Sequence, residues 1–491
     1  MAKCAPIPPR RLRAVRYQRS RGPHRAQRRR RPRLSRWPSQ PRLSVGRPGN
    51  APRASGRGPR AGCLYGEGGK GGLYCTGGIY PDPGAAAGAT AETGLHDDGR
   101  RCAPPISVVL VGDGTWDPHN YENKAHYTNY VPPYLAQVDP WLGEAACDNC
   151  YGQLDGDDPL TGDQRTDSPT AFFATDLWVG RLPVKSAGEL AALVDKILRY
   201  ENDPQIGDWR NVNLFLADNY IKRLDEWGEP VRDMAGDFAR LSDLIIRRAL
   251  CARVGDPNIC QFTGANSDVA VAGTTLNEQI RNLTERSGLR LPRYYYDPFP
   301  FVSDPEGKQP WRVADPQALR TSALAALGRG AGLVVFAGHS NHWQWAVLDG
   351  ESNLPLVILN DPDGLANRDR LFITLSMTCL TAQFHKPADS GTTLDERFLL
   401  APNGAVAVWG PAGLSVVHGH DALQRGFFET LWRAEPGSLR LGELVTGGYF
   451  ELLTNSVCCQ DVLRTYVLLG DPLTPARVMP LEVAHLPLIS R

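Results

Sequence analysis

Seven short apolar runs recur between residues 106 and 472, separated by segments with helical periodicity. The runs are ISVVLVGD, DLWVGR, VNLFLAD, GLVVFAG, LFITLSM, GAVAVWG and YVLLGDP. Nearly continuous Val, Ile and Leu are typical of strands buried on both faces, as in parallel sheets covered by helices. The alternation of such runs with helical segments therefore predicts an α/β fold with a mostly parallel sheet.

The intervening segments carry helix signals. Residues 186–189 and 393–396 are capping boxes, and Asp315 is positioned as an N-cap. Residues 228–250 have an amphipathic pattern that predicts a further helix. Residues 253–313, rich in Pro, Tyr and Asp, predict instead a loop-rich insertion at the rim of a crevice.

Charge and composition divide the chain. Residues 1–60 hold 19 of the 54 Lys and Arg, none of the 53 Asp and Glu, and 10 of the 40 prolines. Such a segment buries too little apolar surface to offset chain entropy, so we expect residues 1–104 to be disordered. One hypothesis is that they are not native coding sequence, because well-patterned protein begins abruptly at Ile106. Beyond them we predict a smaller α/β subdomain at 105–208, a larger one at 209–478 and a tail at 479–491.

The basic N-terminal segment could contact nucleic-acid phosphates. It lacks interleaved aromatic residues and a recognition motif, so a solvated tail is favoured and no nucleic-acid partner is expected. No stretch of the chain is as long as an apolar membrane span, and no signal peptide is visible.

Two of the apolar runs lead into a reactive side chain. GLVVFAGHS places His339 after one strand, and LFITLSMTC places Cys379 after another. In an open α/β sheet the carboxyl ends of strands form the functional crevice. A thiol beside an imidazole is the arrangement that a cysteine nucleophile needs, although each residue alone is more often a buried core group.

Other cysteines have weaker patterns. Cys147 and Cys150 form a lone CDNC, which without a second pair is weak support for zinc, so structural cysteines are expected. Cys251 and Cys260 bracket a turn and could form a local disulfide.

Acidic and histidine-rich motifs raise the question of metals. Residues 154–158 (LDGDD) and 361–364 (DPDG) suggest calcium, but neither has EF-hand spacing, so solvated turns are favoured. His418, His420 and Asp421 form HGHD, a minor metal candidate in which Asp421 is a natural helix N-cap. We expect no metal site and no cofactor, with calcium the alternative.

Taken in order, VVLVGDGTWDP, CYGQLDGDD, DLWVGRLPVKS, FAGHSNHWQWA, TCLTAQF and YVLLGDP resemble the gingipain-like cysteine peptidases, family C25. The resemblance covers residues 106–478. It implies a caspase-like fold, a two-part α/β/α sandwich, with His339 as the catalytic histidine and Cys379 as the nucleophile. It also aligns Asp176 with a carboxylate that assists the histidine, although a strand-entry Asp is an equally good interpretation.

Two positions depart from the family pattern. Ser340 follows His339 where the family has Gly, and Ala382 stands where CxxG would have Gly. The resemblance implies an oxyanion hole made by the backbone N–H groups of Ser340 and Cys379. Serine supplies the N–H but fits poorly if the position requires a positive φ.

Substrate-binding candidates are less sharply defined. Glu189 is the nearest acid to the GR strand, where some relatives read a basic substrate residue, but its capping box explains it fully. Trp343, Trp345 and Trp409 lie near strand ends and could line a pocket or pack in the core.

The leading hypothesis is a cysteine-type endopeptidase, extracellular or at the cell surface, that acts on protein or peptide substrates. The alternative is a non-catalytic or decayed peptidase-like surface or secretion module, since a fold alone does not establish activity.

Overall fold

The structure is a computed structural model. The part of the chain that it describes comprises residues 63–65, 73–75, 78–80, 105–124, 128–154, 175–202, 207–254, 275–303, 309–346, 348, 354–434, 437–455, 458–459 and 461–478.

A nine-stranded sheet forms the centre of the described chain. Its strands are β1 (Ser107–Val111), β2 (Trp178–Leu182), β3 (Asn213–Ala217), β4 (Arg293–Tyr296), β5 (Arg312–Val313), β6 (Leu333–Ala337), β7 (Phe372–Met377), β8 (Ala405–Pro411) and β9 (Tyr466–Leu469). Their order is β5-β4-β3-β6-β7-β8-β9-β2-β1. All seven runs that the sequence predicts to be strands are strands of this sheet.

Neighbouring strands are parallel at every junction except one. The exception is the pair β8 and β9, which is antiparallel, with Val408 opposite Leu469 and Pro411 opposite Tyr466. The residues of β1, β3, β6, β7, β8 and β9 are buried throughout. This is the pattern expected for a parallel sheet covered on both faces, and it confirms the predicted mostly parallel α/β architecture.

The longer helices are α1 (Ala187–Asn202), α2 (Phe238–Val254), α3 (Leu276–Ser287), α4 (Pro316–Arg329), α5 (Leu394–Leu400), α6 (Val417–Arg433) and α7 (Leu441–Asn455). Short helical segments are Asp148–Gly152, Asp208–Asn211, Pro300–Ser303, Asp361–Gly364 and Val462–Thr465.

Helices cover both faces of the sheet. Phe215 of β3 contacts Phe428 of α6, with ring centroids 5.7 Å apart. Val335 pairs with Phe215, so the next residue of β6, Phe336, points to the opposite face. There Phe336 stacks on Trp345, which also contacts Phe398 of α5. The core therefore has two layers, one on each side of the sheet, as in the predicted α/β/α sandwich.

Four small antiparallel sheets are separate from the central sheet in the described residues. They are the hairpin of Leu135–Asp139 with Gly143–Ala146, the hairpin of Ile221–Leu224 with Pro230–Arg232, and the three-stranded sheets of Ser340–Asn341, Gln344–Trp345 and Val357–Ile358 and of Cys63–Tyr65, Leu73–Cys75 and Gly78–Tyr80.

The predicted helix caps are confirmed at three sites. Thr393 accepts a hydrogen bond from the Glu396 N–H in a complete capping box, and Asp315 accepts from Ala318 N–H. At the start of α1, the Ser186 hydroxyl accepts from the Glu189 N–H over 3.2 Å.

Three segments differ from the sequence-based expectation. The helix predicted at 228–250 begins only at Phe238, because residues 230–232 pair in a hairpin. The segment 253–313 contains α3, β4 and β5, so the loop-rich prediction is wrong there. α6 begins at Val417, which places Asp421 inside the helix; the predicted N-cap role of Asp421 is therefore wrong.

Strands of both predicted subdomains lie in the one sheet, since β1 and β2 join β9. The boundary at 208–209 stays a prediction, as does the tail at 479–491, which lies outside the described residues. The disorder predicted for residues 1–104 also stays a prediction, because the structure describes only Cys63–Tyr65, Leu73–Cys75 and Gly78–Tyr80 there. Among the described residues, no helix is long and apolar enough to span a membrane.

Candidate active site

His339 and Cys379 occupy corresponding positions after neighbouring strands. Ala337, the last residue of β6, pairs in parallel register with Met377, the last residue of β7. His339 and Cys379 each follow two residues later. Since adjacent strands lie about 4.8 Å apart, this register brings the two residues to the same edge of the sheet. The two residues therefore lie at one edge of the sheet, and their sharing of a single crevice stays a prediction.

Two carboxylates hold the His339 ring. Nδ1 lies 3.0 Å from Asp218 Oδ2, and Nε2 lies 3.4 Å from Asp233 Oδ2. The hydrogen bond to Asp218, followed by the charges of Asp218 and Asp233, raises the pKa of His339 despite its partial burial. The Phe238 ring packs edge-on against the imidazole at 5.3 Å. His339 is therefore held as an oriented cation over a wider pH range than a free histidine.

Asp176 is not the carboxylate beside this histidine. Its Oδ2 accepts a hydrogen bond from Leu154 N–H over 2.8 Å, where the chain enters β2. The carboxylate at His339 is Asp218, the residue that directly follows β3. The prediction for Asp176 is corrected accordingly. The run VNLFLAD carried the signal, because Asp218 ends a buried strand in the same way as His339 and Cys379.

The Cys379 thiol faces Ser415. Sγ lies 3.4 Å from the Ser415 carbonyl oxygen, to which the thiol donates, and 3.9 Å from Ser415 Oγ. Burial raises the pKa of Cys379, and the hydrogen bonds from Ser415 act in the opposite direction. The hydrogen bonds of the thiol thus go to Ser415 and those of the imidazole to two aspartates. Sequence reasoning gave no sign of Ser415.

The Ser340 side chain lies against the nucleophile's backbone. The Cys379 N–H donates to Ser340 Oγ over 3.0 Å, and the Ser340 hydroxyl donates to the Cys379 carbonyl oxygen. Thr378 Oγ1 lies 2.6 Å from Ser340 Oγ. One of the two predicted oxyanion donors is therefore already engaged by the side chain that replaces the family glycine.

Backbone strain does not accompany the two departures from the family pattern. Neither Ser340 nor Ala382 has a positive φ, whereas Leu380 has φ of 64°. Ala382 is fully buried, and its N–H donates to the Pro411 carbonyl over 2.9 Å. The conformational difficulty considered for Ser340 is absent, and the effect of that residue comes from its hydroxyl.

A cavity of about 540 Å³ opens beside His339. Asp218, Asp233 and Lys222 form its charged wall, and Lys222 pairs with Asp233 at 3.0 Å. Its apolar wall includes Tyr296 and Phe299, which come from the segment that the sequence predicts to be a loop. The cavity can hold a side chain next to the imidazole.

The tryptophan candidates separate into core and surface. Trp409 is fully buried within β8, and its Nε1 donates to Tyr449 Oη over 3.2 Å. Trp345 is also fully buried. A substrate-binding role for Trp409 is therefore wrong, because packing against α6 and α7 accounts for it. Trp343 is half-buried in the turn of the Ser340–Trp345 hairpin, so its role stays a prediction.

Glu189 lies away from the cavity wall. Its side chain is exposed at the start of α1, where a carboxylate oxygen accepts from Lys185 N–H over 2.6 Å. This is the helix-capping role that its sequence context predicts, and the structure does not bring Glu189 together with His339 or Cys379.

Metal candidates are occupied by other contacts. Asp361 pairs with Arg320 at 2.9 Å, and Asp363 accepts from Arg397 Nε over 3.0 Å. Residues 155–158 lie outside the described part of the chain. Within the described ranges, no cluster of His, Cys, Asp and Glu is arranged to hold a metal ion. His420 is buried whereas His418 is exposed, so the HGHD motif points its histidines apart.

The CDNC motif is a disulfide. Cys147 and Cys150 are bonded across a short helical turn, and both are buried. Cys251 is also disulfide-bonded, and its predicted partner Cys260 lies outside the described residues. The structural interpretation of these cysteines is therefore favoured over zinc.

Comparison with known proteins gives four findings. The model of peptidase family C25 matches residues 97–477, and no curated protein matches the chain. The crystal structure of the Arg-specific cysteine proteinase gingipain R (RgpB) matches with TM-score 0.47 and 16% identity, over 76% of this chain and 64% of that one. The complex of Porphyromonas gingivalis RgpB pro- and mature domains matches with TM-score 0.47 and 17% identity, over 76% and 66%. The chain spans less than two thirds of the length of either gingipain chain.

Proposed function

Because the chain belongs to peptidase family C25, we propose that it is a cysteine endopeptidase in which Cys379 is the nucleophile and His339 the general acid. The fold is the caspase-like α/β fold of this family. The observation that carries the proposal is the register of β6 and β7, which places the two side chains after paired strand ends.

His339 is suited to deliver a proton. The hydrogen bond from Nδ1 to Asp218 raises its pKa and leaves Nε2 as the nitrogen that can reach a substrate. Asp233 contacts Nε2 at 3.4 Å, a longer approach than that of Asp218. A scissile amide nitrogen would replace Asp233 as the partner of Nε2. Asp218 thus orients the imidazole ring, and Asp233 is the partner of protonated Nε2 in the absence of substrate.

The reaction has two covalent steps. After the Cys379 thiol has lost its proton to solvent, its sulfur forms a bond to the scissile carbonyl carbon, and the carbon–nitrogen bond breaks as His339 gives its proton to the departing amine. Water then attacks the thioester, and the carbon–sulfur bond breaks to release the carboxylate product. His339, now neutral, accepts the proton of that water.

The oxyanion of each step needs donors. The Cys379 N–H is one candidate, and it becomes free when the Ser340 side chain rotates away. Breaking the hydrogen bond between the Cys379 N–H and Ser340 Oγ costs about 1 kcal/mol, so Ser340 would slow the reaction without preventing it.

The substrate would be a protein or peptide with one side chain in the cavity beside His339. An extracellular or surface location is part of the proposal. The Cys147–Cys150 disulfide supports it, because structural disulfides persist in oxidising compartments.

One observation favours a second candidate, a non-catalytic module with a peptidase fold. The Ser340 hydroxyl bridges the Cys379 N–H and carbonyl, so the nucleophile's backbone is satisfied without substrate. A protein that no longer turns over substrate would have no need to keep that N–H free.

A peptide library and an electrophilic peptide probe test these alternatives on the full chain under reducing conditions mild enough to keep the buried disulfide. Cleavage by the wild type, abolished in Cys379→Ala and in His339→Ala with unchanged thermal stability, supports the enzyme. Neither cleavage nor probe labelling of Cys379 would support the module. A large loss of stability in Cys379→Ala would indicate instead a core cysteine.

A further inference from the structure

A second histidine lies behind the thiol. His420 Nε2 is 2.6 Å from Ser415 Oγ, and Ser415 Oγ is 3.9 Å from Cys379 Sγ. Ser415 Oγ also lies 2.8 Å from the Thr378 carbonyl oxygen, to which it donates. Ser415 therefore joins the sulfur to an imidazole other than His339.

His420 is held neutral in this position. Its side chain is buried in α6, and burial lowers its pKa to about 3. Its ring packs edge-on against Tyr466 at 5.8 Å. Buried Nδ1 has no hydrogen-bond partner, whereas Nε2 lies against Ser415 Oγ and the ring also has a hydrogen bond with the Thr378 backbone. Because an unpaired buried N–H is rarer than an unpaired acceptor, the proton belongs on Nε2, which donates to Ser415 Oγ.

This tautomer fixes how Ser415 can serve the sulfur. With His420 as donor, the Ser415 hydroxyl keeps its own proton for an acceptor. In the resting state that acceptor is the Thr378 carbonyl, and the thiol donates to the Ser415 carbonyl. When the thiol loses its proton, the sulfur becomes an acceptor within reach of a rotation of the same hydroxyl.

We propose that Ser415 and His420 are positioning residues for Cys379: His420 orients the Ser415 hydroxyl, and that hydroxyl donates a hydrogen bond to the Cys379 thiolate. The pair stabilises the ionised sulfur, aims it, and takes no proton from it. This inference rests on the proposed role of Cys379 as nucleophile.

Other charged and titratable groups near the sulfur are few among the described residues. Asp139, from the hairpin that contacts Leu414 N–H, disfavours the thiolate by its charge. Tyr466 of β9 donates its proton to the carbonyl oxygens of Ser376 and Thr378, and its hydroxyl oxygen also has a hydrogen bond with the Ser415 side chain. Ser415 is thus the hydroxyl available to the sulfur.

The test measures alkylation of Cys379 by iodoacetamide between pH 5 and 10, followed by mass spectrometry of the Cys379 peptide. Alkylation requires the thiolate but no peptidase turnover. Ser415→Ala should raise the apparent pKa of Cys379 by about one unit, so that alkylation at pH 7 slows about tenfold. Ser415→Thr keeps the hydroxyl and should restore the wild-type profile.

His420→Phe keeps an aromatic ring beside Tyr466 and removes the donor, so it should shift the profile in the same direction as Ser415→Ala. The double variant should shift no further than the larger single variant, because the two residues act as one unit. Ser287→Ala serves as the matched control, since it removes a serine hydroxyl bonded to the Thr284 carbonyl at the end of α3.

Each outcome decides the matter. Folded Ser415→Ala with a wild-type profile overturns the proposal, as does a wild-type Cys379 that does not react up to pH 10. A shifted profile in a protein that cleaves no peptide would uphold this inference and remove the peptidase assignment. Peptide cleavage by the wild type together with an unshifted alkylation profile in Ser415→Ala would uphold the peptidase assignment and overturn this inference.

Discussion

The backbone N–H of Cys379 donates a hydrogen bond of 3.0 Å to the side-chain oxygen of Ser340. A serine in place of the family glycine thus contributes an acceptor at the point where an oxyanion would bind. Its φ is not positive, so the difference between serine and glycine here is chemical and carries no conformational strain.

Ser340→Gly should raise kcat/KM, because it frees the Cys379 N–H for the oxyanion. We expect a gain of tenfold or less, about 1.4 kcal/mol, since the serine can rotate away during turnover. Ser340→Thr keeps the hydroxyl and should show no gain. Steady-state kinetics on a peptide substrate measures both variants, and a slower Ser340→Gly enzyme would contradict this account.

Asp218→Asn should shift the pH profile of peptide cleavage. His339 must carry a proton to act as an acid, so activity falls as the pH rises through the His339 pKa, which Asp218 raises. Without the carboxylate that pKa drops, and the alkaline limb of kcat/KM moves to lower pH. A shift of one unit would reduce activity on that limb by about tenfold.

Asp176→Asn is the matched control for that experiment, because Asp176 contacts Leu154 N–H at the entry of β2. We expect its profile to equal that of the wild type. A shifted alkaline limb in Asp176→Asn alone would restore Asp176 as the carboxylate that assists His339.

His385 should make the folded state sensitive to acid. It is fully buried between Trp116 and Phe384, and burial lowers its pKa to about 3. In the unfolded chain a histidine takes up a proton below about pH 6.5. The free energy of unfolding therefore loses a contribution of about 1.4 kcal/mol per pH unit as the pH falls from 6.5 towards 3.

Urea unfolding of the wild type and of His385→Phe at pH 4, 5 and 6 isolates this contribution, because other titrating groups cancel in the difference. Asp113 and Asp395, whose pKa values burial raises to about 7, titrate in both proteins alike. The stability of the wild type relative to the variant should fall with pH. Parallel curves would show that His385 is protonated in the folded protein.

Removing the Cys147–Cys150 disulfide should lower the free energy of unfolding without abolishing cleavage. The bond closes a loop of a few residues, for which chain entropy predicts a loss of about 2 kcal/mol. Chemical denaturation of Cys147→Ser/Cys150→Ser, compared with oxidised wild type in which the bond is intact, measures this loss. A loss of peptide cleavage in the folded variant would give this turn a role at the active site.

The sheet could be predicted from sequence because apolar runs report burial on both faces. The sequence does not predict β4, because RYYY has aromatic residues and an arginine in place of aliphatic ones. The sequence does not predict α3 either, because few of its side chains, such as Ile280 and Leu283, are buried. Both elements lie in a segment whose prolines and aspartates favoured a loop.

Some features of the candidate site can be predicted from the sequence, and others cannot. Strand context alone places His339 and Cys379 at one edge, because strand ends follow from local sequence. The contacts of Ser340 with Cys379 and of Ser415 with His420 depend on side-chain rotamers and on loops brought together by the fold. The prediction for Trp409 is wrong because a tryptophan near a strand end can face a helix or a crevice, and sequence does not distinguish the two environments.

The pairing of Ala337 with Met377 has a consequence for changes of length. Successive residues of a strand point to opposite faces, so a single inserted or deleted residue reverses every side chain beyond it. Between each paired strand end and its reactive residue stands only one intervening amino acid, Gly338 or Thr378. Substitutions across much of the molecule would change a rate, whereas one added residue at either of these two places would remove His339 or Cys379 from its matched position after the paired strand ends.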